Sequence, residues 1–208
     1  MSFLSEIFAV FRKQIPIANA EYIVFGIGNV GSKYENTRHN IGFMVADHCL
    51  ARVTQMQKST VPFAQCTVGL FAGKYVAFVK PTTFVNKSGD AVGAALKVFG
   101  LHCDRCLVVV DDYNIPLGTM RFRRGGSDGG HNGLKSIIGE VGQDFPRLRI
   151  GIGPRPRDTN TIDFVLGTFT EQEEKSVARM FGKAALGIEM FMSGAVEKAT
   201  AVFNSPNT

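Results

Sequence analysis

No apolar run in this sequence approaches the roughly 20 residues that a membrane-spanning helix needs. Cysteine is scarce as well. Cys49, Cys66, Cys103 and Cys106 form no dense framework, which argues against a disulfide-stapled fold and fits a reducing compartment. Cys103-x-x-Cys106 has redox or metal spacing, but it stands before an expected strand, not after one at a helix start. No second close pair completes a zinc set, so all four read as ordinary thiols. Internal repeats, low-complexity tracts and linkers are lacking too. What remains is an ordinary globular composition, 45% hydrophobic and 20% charged over 208 residues, enough for one domain with a sizeable core.

Charge is modest in total, +5, and uneven in place. Between Thr119 and Arg157 lie eight basic residues (Arg121, Arg123, Arg124, Lys135, Arg147, Arg149, Arg155, Arg157) against three acids (Asp128, Glu140, Asp144). That excess of five equals the net charge of the whole chain, so the rest is balanced. A concentrated excess of this kind is the electrostatic footprint expected for a polyanion.

The chain is organised around Gly26 to Asn40, which follows a short apolar run, Tyr22 to Phe25, read as a buried strand. Gly26-x-Gly28-x-x-Gly31 matches the dinucleotide-binding pattern, but that pattern needs a helix to start inside the glycines. Ser32 to Asn40 has no apolar stripe and reads as an ordered polar loop, so a nucleotide-dependent oxidoreductase is a poor fit. The loop offers Asn29, Tyr34, Thr37, Arg38, His39 and Asn40 between a strand and a helix, where α/β proteins build sites. A histidine there suits proton transfer near neutral pH.

The remaining elements follow by periodicity. Phe3, Leu4, Ile7, Phe8 and Phe11 form a helical stripe within residues 1–21, read as an extension too charged for a secretory signal. Ile41 to Val53 reads as a core-facing helix, and Phe63 to Leu70 with Tyr75 to Lys80 as a hairpin. Asn86 or Ser88 is expected to cap a helix running to Phe99. Leu107 to Val110 is an apolar strand with Asp111-Asp112 at its end, followed by a turn from Tyr113 to Gly118. Thr119 to Arg123 and Arg147 to Ile152 are expected strands, with Arg121 and Arg123 on one face and Arg147 and Arg149 on one face. A glycine-rich loop, Gly125 to Gly130, leads to His131-Asn132 and a short helix near Leu134 to Ile138. Thr170 to Glu173 is a capping box before a long helix, and a last helix spans Ala195 to Phe203. The organisation is thus an N-terminal extension, 1–21, a single α/β domain, 22–203, and a tail, 204–208. The fold class is α/β: three layers, a mixed twisted sheet with helices on both faces.

Five ordered blocks carry a resemblance. They are G-I-G-N-V-G-S-K-Y-E-N-T-R-H-N-I-G-F (26–43), K-P-T-T-F-V-N-K-S-G (80–89), V-D-D-Y-N-I-P-L-G (110–118), G-G-H-N-G-L-K-S-I (129–137) and R-L-R-I-G-I-G-P (147–154). The chain resembles the bacterial-type peptidyl-tRNA hydrolases. The resemblance implies hydrolysis of the ester between a peptide and the 3′-terminal ribose of tRNA by a cytoplasmic monomer without metal or cofactor. It implies His39 as catalytic base with Asp111 as its carboxylate partner. Asn29, Asn86 and Asn132 would be the site asparagines, Tyr34 a lining residue, and Arg123 with Arg149 the grip on the tRNA end phosphate. His131 matches a family position too but is given no catalytic role. The substrate would be peptidyl-tRNA, met at its acceptor end and 5′ phosphate, with no membrane partner. Val30, Asn114 and Asp128 depart from the family pattern. A non-catalytic RNA-binding protein of the same fold, like a splicing factor, is the alternative.

Overall fold

The computed structural model of the protein describes residues 19–205. The helical reading of residues 1–18 and the last three residues of the tail lie outside that range. Among the described residues one seven-stranded mixed sheet forms, in the order β2-β3-β4-β1-β5-β7-β6. Its strands are β1 (Tyr22–Gly26), β2 (Thr54–Val61), β3 (Ala64–Phe71), β4 (Lys74–Pro81), β5 (Cys106–Pro116), β6 (Met120–Arg123) and β7 (Arg147–Gly153). β1 pairs in parallel with β4 and β5, and β5 in parallel with β7, while β2, β3 and β4 form an antiparallel meander and β6 pairs antiparallel with β7.

Helices cover both faces, as the sequence leads one to expect. Alternate residues of each central strand point to opposite sides. Val24, Leu107 and Val109 pack with Ile41, Val45 and Cys49 of α1 (Ile41–Leu50) and with α5 (Glu171–Met192) and α6 (Val196–Asn204). Ile23, Phe25, Val108 and Val110 pack with Ala91, Val92 and Ala95 of α2 (Ser88–Phe99) and with Leu134 and Ile137 of α3 (Asn132–Val141). A six-residue helix, α4 (Thr161–Leu166), precedes α5. The Thr170–Glu173 capping box forms as expected at the start of α5.

Several expectations need correction. The expected hairpin is part of a three-stranded meander, because Thr54 to Val61 adds a strand. That strand is mostly exposed, with no buried face to imprint an alternation on the sequence. β5 runs on to Pro116 where a turn was expected: its pairing with β7 is interrupted after Asp112 and resumes at Pro116 with Gly153. Neither Asn86 nor Ser88 caps α2. Its N-cap position is Lys87 without a side-chain bond, and the Ser88 hydroxyl donates back to the Val85 carbonyl within a preceding 3-10 turn, Val85–Lys87. The helix after Asn132 is ten residues long instead of a short piece.

The glycines of the central loop have a packing role. A Cβ on Gly26 would lie 2.4 Å from the Gly42 carbonyl oxygen, and one on Gly42 would lie 2.5 Å from the Ile27 carbonyl oxygen. β1 and α1 therefore touch backbone to backbone, and no helix begins among the glycines. The four cysteines are all free thiols. Burial pushes Cys49 and Cys66 up to about 12 and Cys106 further, which leaves them inert as nucleophiles.

Candidate active site

β1, β4 and β5 run parallel, so the loops at their C-terminal ends share one edge of the sheet, where open α/β sheets place ligands. The loop after β1 is tied down by its own polar groups. The Asn29 amide N–H donates to Asn40 Oδ1 (2.8 Å), and Asn40 Nδ2 donates to the Asn29 carbonyl (3.0 Å). Asn29 Oδ1 accepts from the Val85 N–H (3.0 Å), which fastens this loop to the segment after β4. A Cβ on Gly133 would meet Val85, His131 and Ile27 at 2.9–3.1 Å, so the start of α3 closes against the same place.

His39 lies in a 3-10 turn, Arg38–Asn40, and its position is set by its predecessor. The Arg38 guanidinium lies 4.9 Å from the ring centroids of both Phe164 and Phe169 and pairs with both carboxylate oxygens of Glu173. Arg38 Nε and Nη1 are buried without an acceptor among the described residues, and the aromatic faces take the place of one. The Arg38 backbone N–H donates to the Gly167 carbonyl, and Thr37 bridges to Thr168. The α4–α5 junction thus holds the histidine turn.

His39 Nδ1 lies 2.9 Å from Asp111 Oδ1, and His131 Nε2 lies 2.9 Å from the same oxygen. The two imidazole centroids are 4.9 Å apart. The tautomers follow from the partners. His131 Nδ1 accepts from the backbone N–H groups of Gly133 (3.1 Å) and Leu134 (3.3 Å), so its proton is on Nε2 and is donated to Asp111. An ionised Asp111 accepts from His39 Nδ1–H as well, which leaves the lone pair of His39 on Nε2. Burial of Asp111, 2% exposed at its side chain, favours its neutral form, but the two imidazoles outweigh that and hold it well below the ordinary carboxylate range. Burial likewise opposes charging His39. The charge and hydrogen bond of Asp111 prevail and raise its pKa above that of free histidine.

His39, Asp111 and His131 are close enough to suggest a metal triad. The donor set argues otherwise. A cation between them would need the Nε2 lone pair of His131, which would move its proton to Nδ1, against two backbone N–H donors. The arrangement suits protons.

The other expected residues fall on two sides of this core. Asn86 and Asn132 are exposed, at the starts of the elements leading into α2 and α3, and have no side-chain partner among the described residues. Tyr34 meets Phe84 edge-on, with centroids 6.3 Å apart, and Phe84 is itself exposed. Beyond Asp111 opens a cavity of about 240 Å³, lined by Asp111, Asp112, Asn114, Arg123, the glycine-rich loop, His131, Arg147 and Arg149. Arg123 is exposed and lacks a partner among the described residues. Arg149 pairs through Nη2 with Asp112 Oδ2. Arg147 is buried over the Phe145 ring, and its guanidinium donates to the carbonyls of Ser127 and Gln143, bracing the glycine-rich loop. Burial first, then the charge of Arg149, lowers Arg147 to about 10, so it stays a cation at neutral pH.

Sequence reasoning set His131 aside, yet it is the second partner of Asp111 and the side-chain cap of α3. Its place directly before a helix and beside Asn132 was the available signal, but histidine is not among the preferred capping residues. Arg38 also went unassigned, because nothing local marks an arginine as buried.

The family profile described as "Peptidyl-tRNA hydrolase" matches residues 23–208. The peptidyl-tRNA hydrolase of Fervidobacterium nodosum is 40% identical over 183 residues, which is 88% of this chain and 96% of that protein. That of Leuconostoc mesenteroides is 43% identical over 175 residues, 83% of this chain and 93% of its own length. In three dimensions the crystal structure of peptidyl-tRNA hydrolase from Acinetobacter baumannii aligns with a TM-score of 0.81 at 29% identity, covering 88% of this chain and 94% of that one.

Proposed function

The chain belongs to the peptidyl-tRNA hydrolase family, and from that premise we propose that it hydrolyses the ester between a peptide and the 3′-terminal ribose of tRNA. The observation that carries the mechanism is the bond from His39 Nδ1 to the buried Asp111, which leaves Nε2 as an acceptor. In this reading Nε2 takes a proton from water as the water attacks the ester carbonyl. Asp111 fixes the tautomer and stabilises the imidazolium that forms. The proton then passes to the departing 3′ oxygen, which releases free tRNA and peptide.

The asparagines suit a substrate of variable sequence. Asn86 and Asn132 have uncommitted amides and donate to the developing oxyanion and the peptide backbone without selecting a side chain. Asn29 spends its carbonyl on the Val85 N–H and has its NH₂ left for substrate. Tyr34 and Phe84 offer aromatic surface beside them. Arg123 and Arg149 take the phosphate at the tRNA 5′ end, a contact that gives affinity without sequence information and so serves every tRNA.

We read the enzyme as a monomer, as the resemblance to the family implies. We place it in the cytoplasm, where its substrate arises. No helix among the described residues is long and apolar enough to cross a membrane. The test is release of an N-blocked amino acid from tRNA by wild type and by His39→Ala. Release by wild type alone supports the reading. Equal release by both removes His39 from the mechanism.

A further inference from the structure

Four arginines face one another across the last two strands. Arg121 stands opposite Arg149, and Arg123 opposite Arg147. Like charges in such register repel unless something offsets them. Two are met by neutral groups: Arg121 donates to the Asn204 carbonyl (2.9 Å), and Arg147 to two carbonyls. Arg123 has no partner among the described residues. Arg147 also feels the charges of Asp128 and Asp144, but among the described residues only Arg149 of the four forms an ion pair, with Asp112.

Asp112 is built into this position. Its side chain is 7% exposed, and Oδ1 accepts the Asn114 N–H at 2.9 Å, which leaves Oδ2 to take Arg149 Nη2. Alternation along β5 puts Asp112 on the side of Val110, away from Asp111, and alternation along β7 puts Arg149 on the same side. The guanidinium is held at the cavity wall, and its Nη1 and Nε have no partner among the described residues. A phosphate arriving there meets an arginine that is already oriented and already half neutralised.

We propose that Asp112 is the residue that limits how tightly the enzyme holds the tRNA phosphate, an internal counter-anion that orients Arg149 and keeps tRNA release fast. The inference rests on the reading of Arg123 and Arg149 as the phosphate grip. The physical reason is that the phosphate is unchanged by the reaction. Binding it more strongly stabilises substrate, transition state and product alike, so it lowers KM without raising kcat and slows the departure of free tRNA. Repulsion from Asp112 grows with the charge of the ligand, so a terminal phosphate carrying two charges feels it most.

The experiment compares Asp112→Asn with wild type, using deacylated tRNA that carries either a 5′ phosphate or a 5′ hydroxyl, with turnover of an N-blocked aminoacyl-tRNA measured alongside. Asn keeps the shape of the side chain and removes its charge, and its single oxygen can accept from the Asn114 N–H or from Arg149 but not fill both places. The expected result is a Kd for 5′-phosphorylated tRNA lower by about three- to tenfold and a steeper salt dependence, by roughly 0.7 in the log–log slope. Little gain is expected on the 5′-hydroxyl form, with KM falling and kcat unchanged or lower. Weaker binding of the phosphorylated tRNA, or an equal gain on both forms, overturns the proposal. Arg149→Ala separates this from failure of the grip itself. If that variant keeps the full wild-type preference for the 5′ phosphate, Arg149 does not hold it and both readings fall. If it loses the preference while Asp112→Asn gains nothing, only the role of Asp112 falls.

Discussion

Asp111 and Asp112 are consecutive on β5 and both buried, yet each answers to a different chemistry. Asp111 accepts from two imidazoles, and Asp112 pairs with a guanidinium. A histidine gains or loses its proton near neutrality, whereas an arginine stays charged, so one carboxylate tunes a proton and the other a fixed charge. The strand's two-residue period separates them, so the reaction chemistry and the phosphate chemistry we propose stand one residue apart. Rate should therefore respond to the Asp111 side, and affinity to the Asp112 side.

The largest break in that division should come from His39→Ala. We expect kcat to fall by about 10²–10⁴-fold with tRNA Kd unchanged, measured by single-turnover release and by binding titration. Asp111→Asn should come next, with kcat lowered by about 10²-fold or more. Its pH profile gives a sharper reading. In the role we propose, His39 works as a base only when neutral, so activity should rise with pH through its pKa. In wild type Asp111 raises that pKa, so the limb lies above about 6.5; in Asp111→Asn it should move to lower pH. A limb that stays in place would remove Asp111 from the tuning of His39.

On the other side, Arg123→Ala and Arg149→Ala should each raise KM and reduce the salt slope by about 0.7–0.9, with kcat little changed. A loss confined to kcat would cross the division and contradict it. His131 tests the boundary between them. His131→Ala removes both the cap of α3 and a partner of Asp111, whereas His131→Asn restores a cap and leaves Asp111 short. Thermal unfolding should show about 1 kcal/mol lost in the first and largely regained in the second. The kcat should fall in both if the contact with Asp111 matters. Asp128→Asn should do least. Its Oδ1 accepts the Gly130 N–H within the glycine-rich loop, so an isosteric amide should change tRNA affinity by no more than about twofold.

What the sequence disclosed follows from what leaves a local trace. The apolar strands, the α1 stripe and the capping box at Thr170 have periods or spacings that survive without the fold, and each appears. His39 and Asp111 were legible as a polar loop after one strand and a carboxylate at the end of another. The parallel pairing of β1 with β5 is what brings them together. β2 left no trace because an exposed edge strand buries no face. The role of Gly26 was misleading, since close approach of α1 and close approach of a phosphate both ask for glycine. The bond of His131 to Asp111, the burial of Arg38 and the pairing of Arg149 with Asp112 depend on contacts between distant segments, and no local pattern encodes them.

The most direct test of the account is single-turnover release of an N-blocked amino acid from tRNA by wild type and His39→Ala, with tRNA binding measured on the same preparations. The account predicts rapid release by wild type, a loss of about 10²-fold or more in the variant, and equal tRNA affinity in both. Tight, salt-sensitive tRNA binding by both proteins with no release by wild type would contradict it.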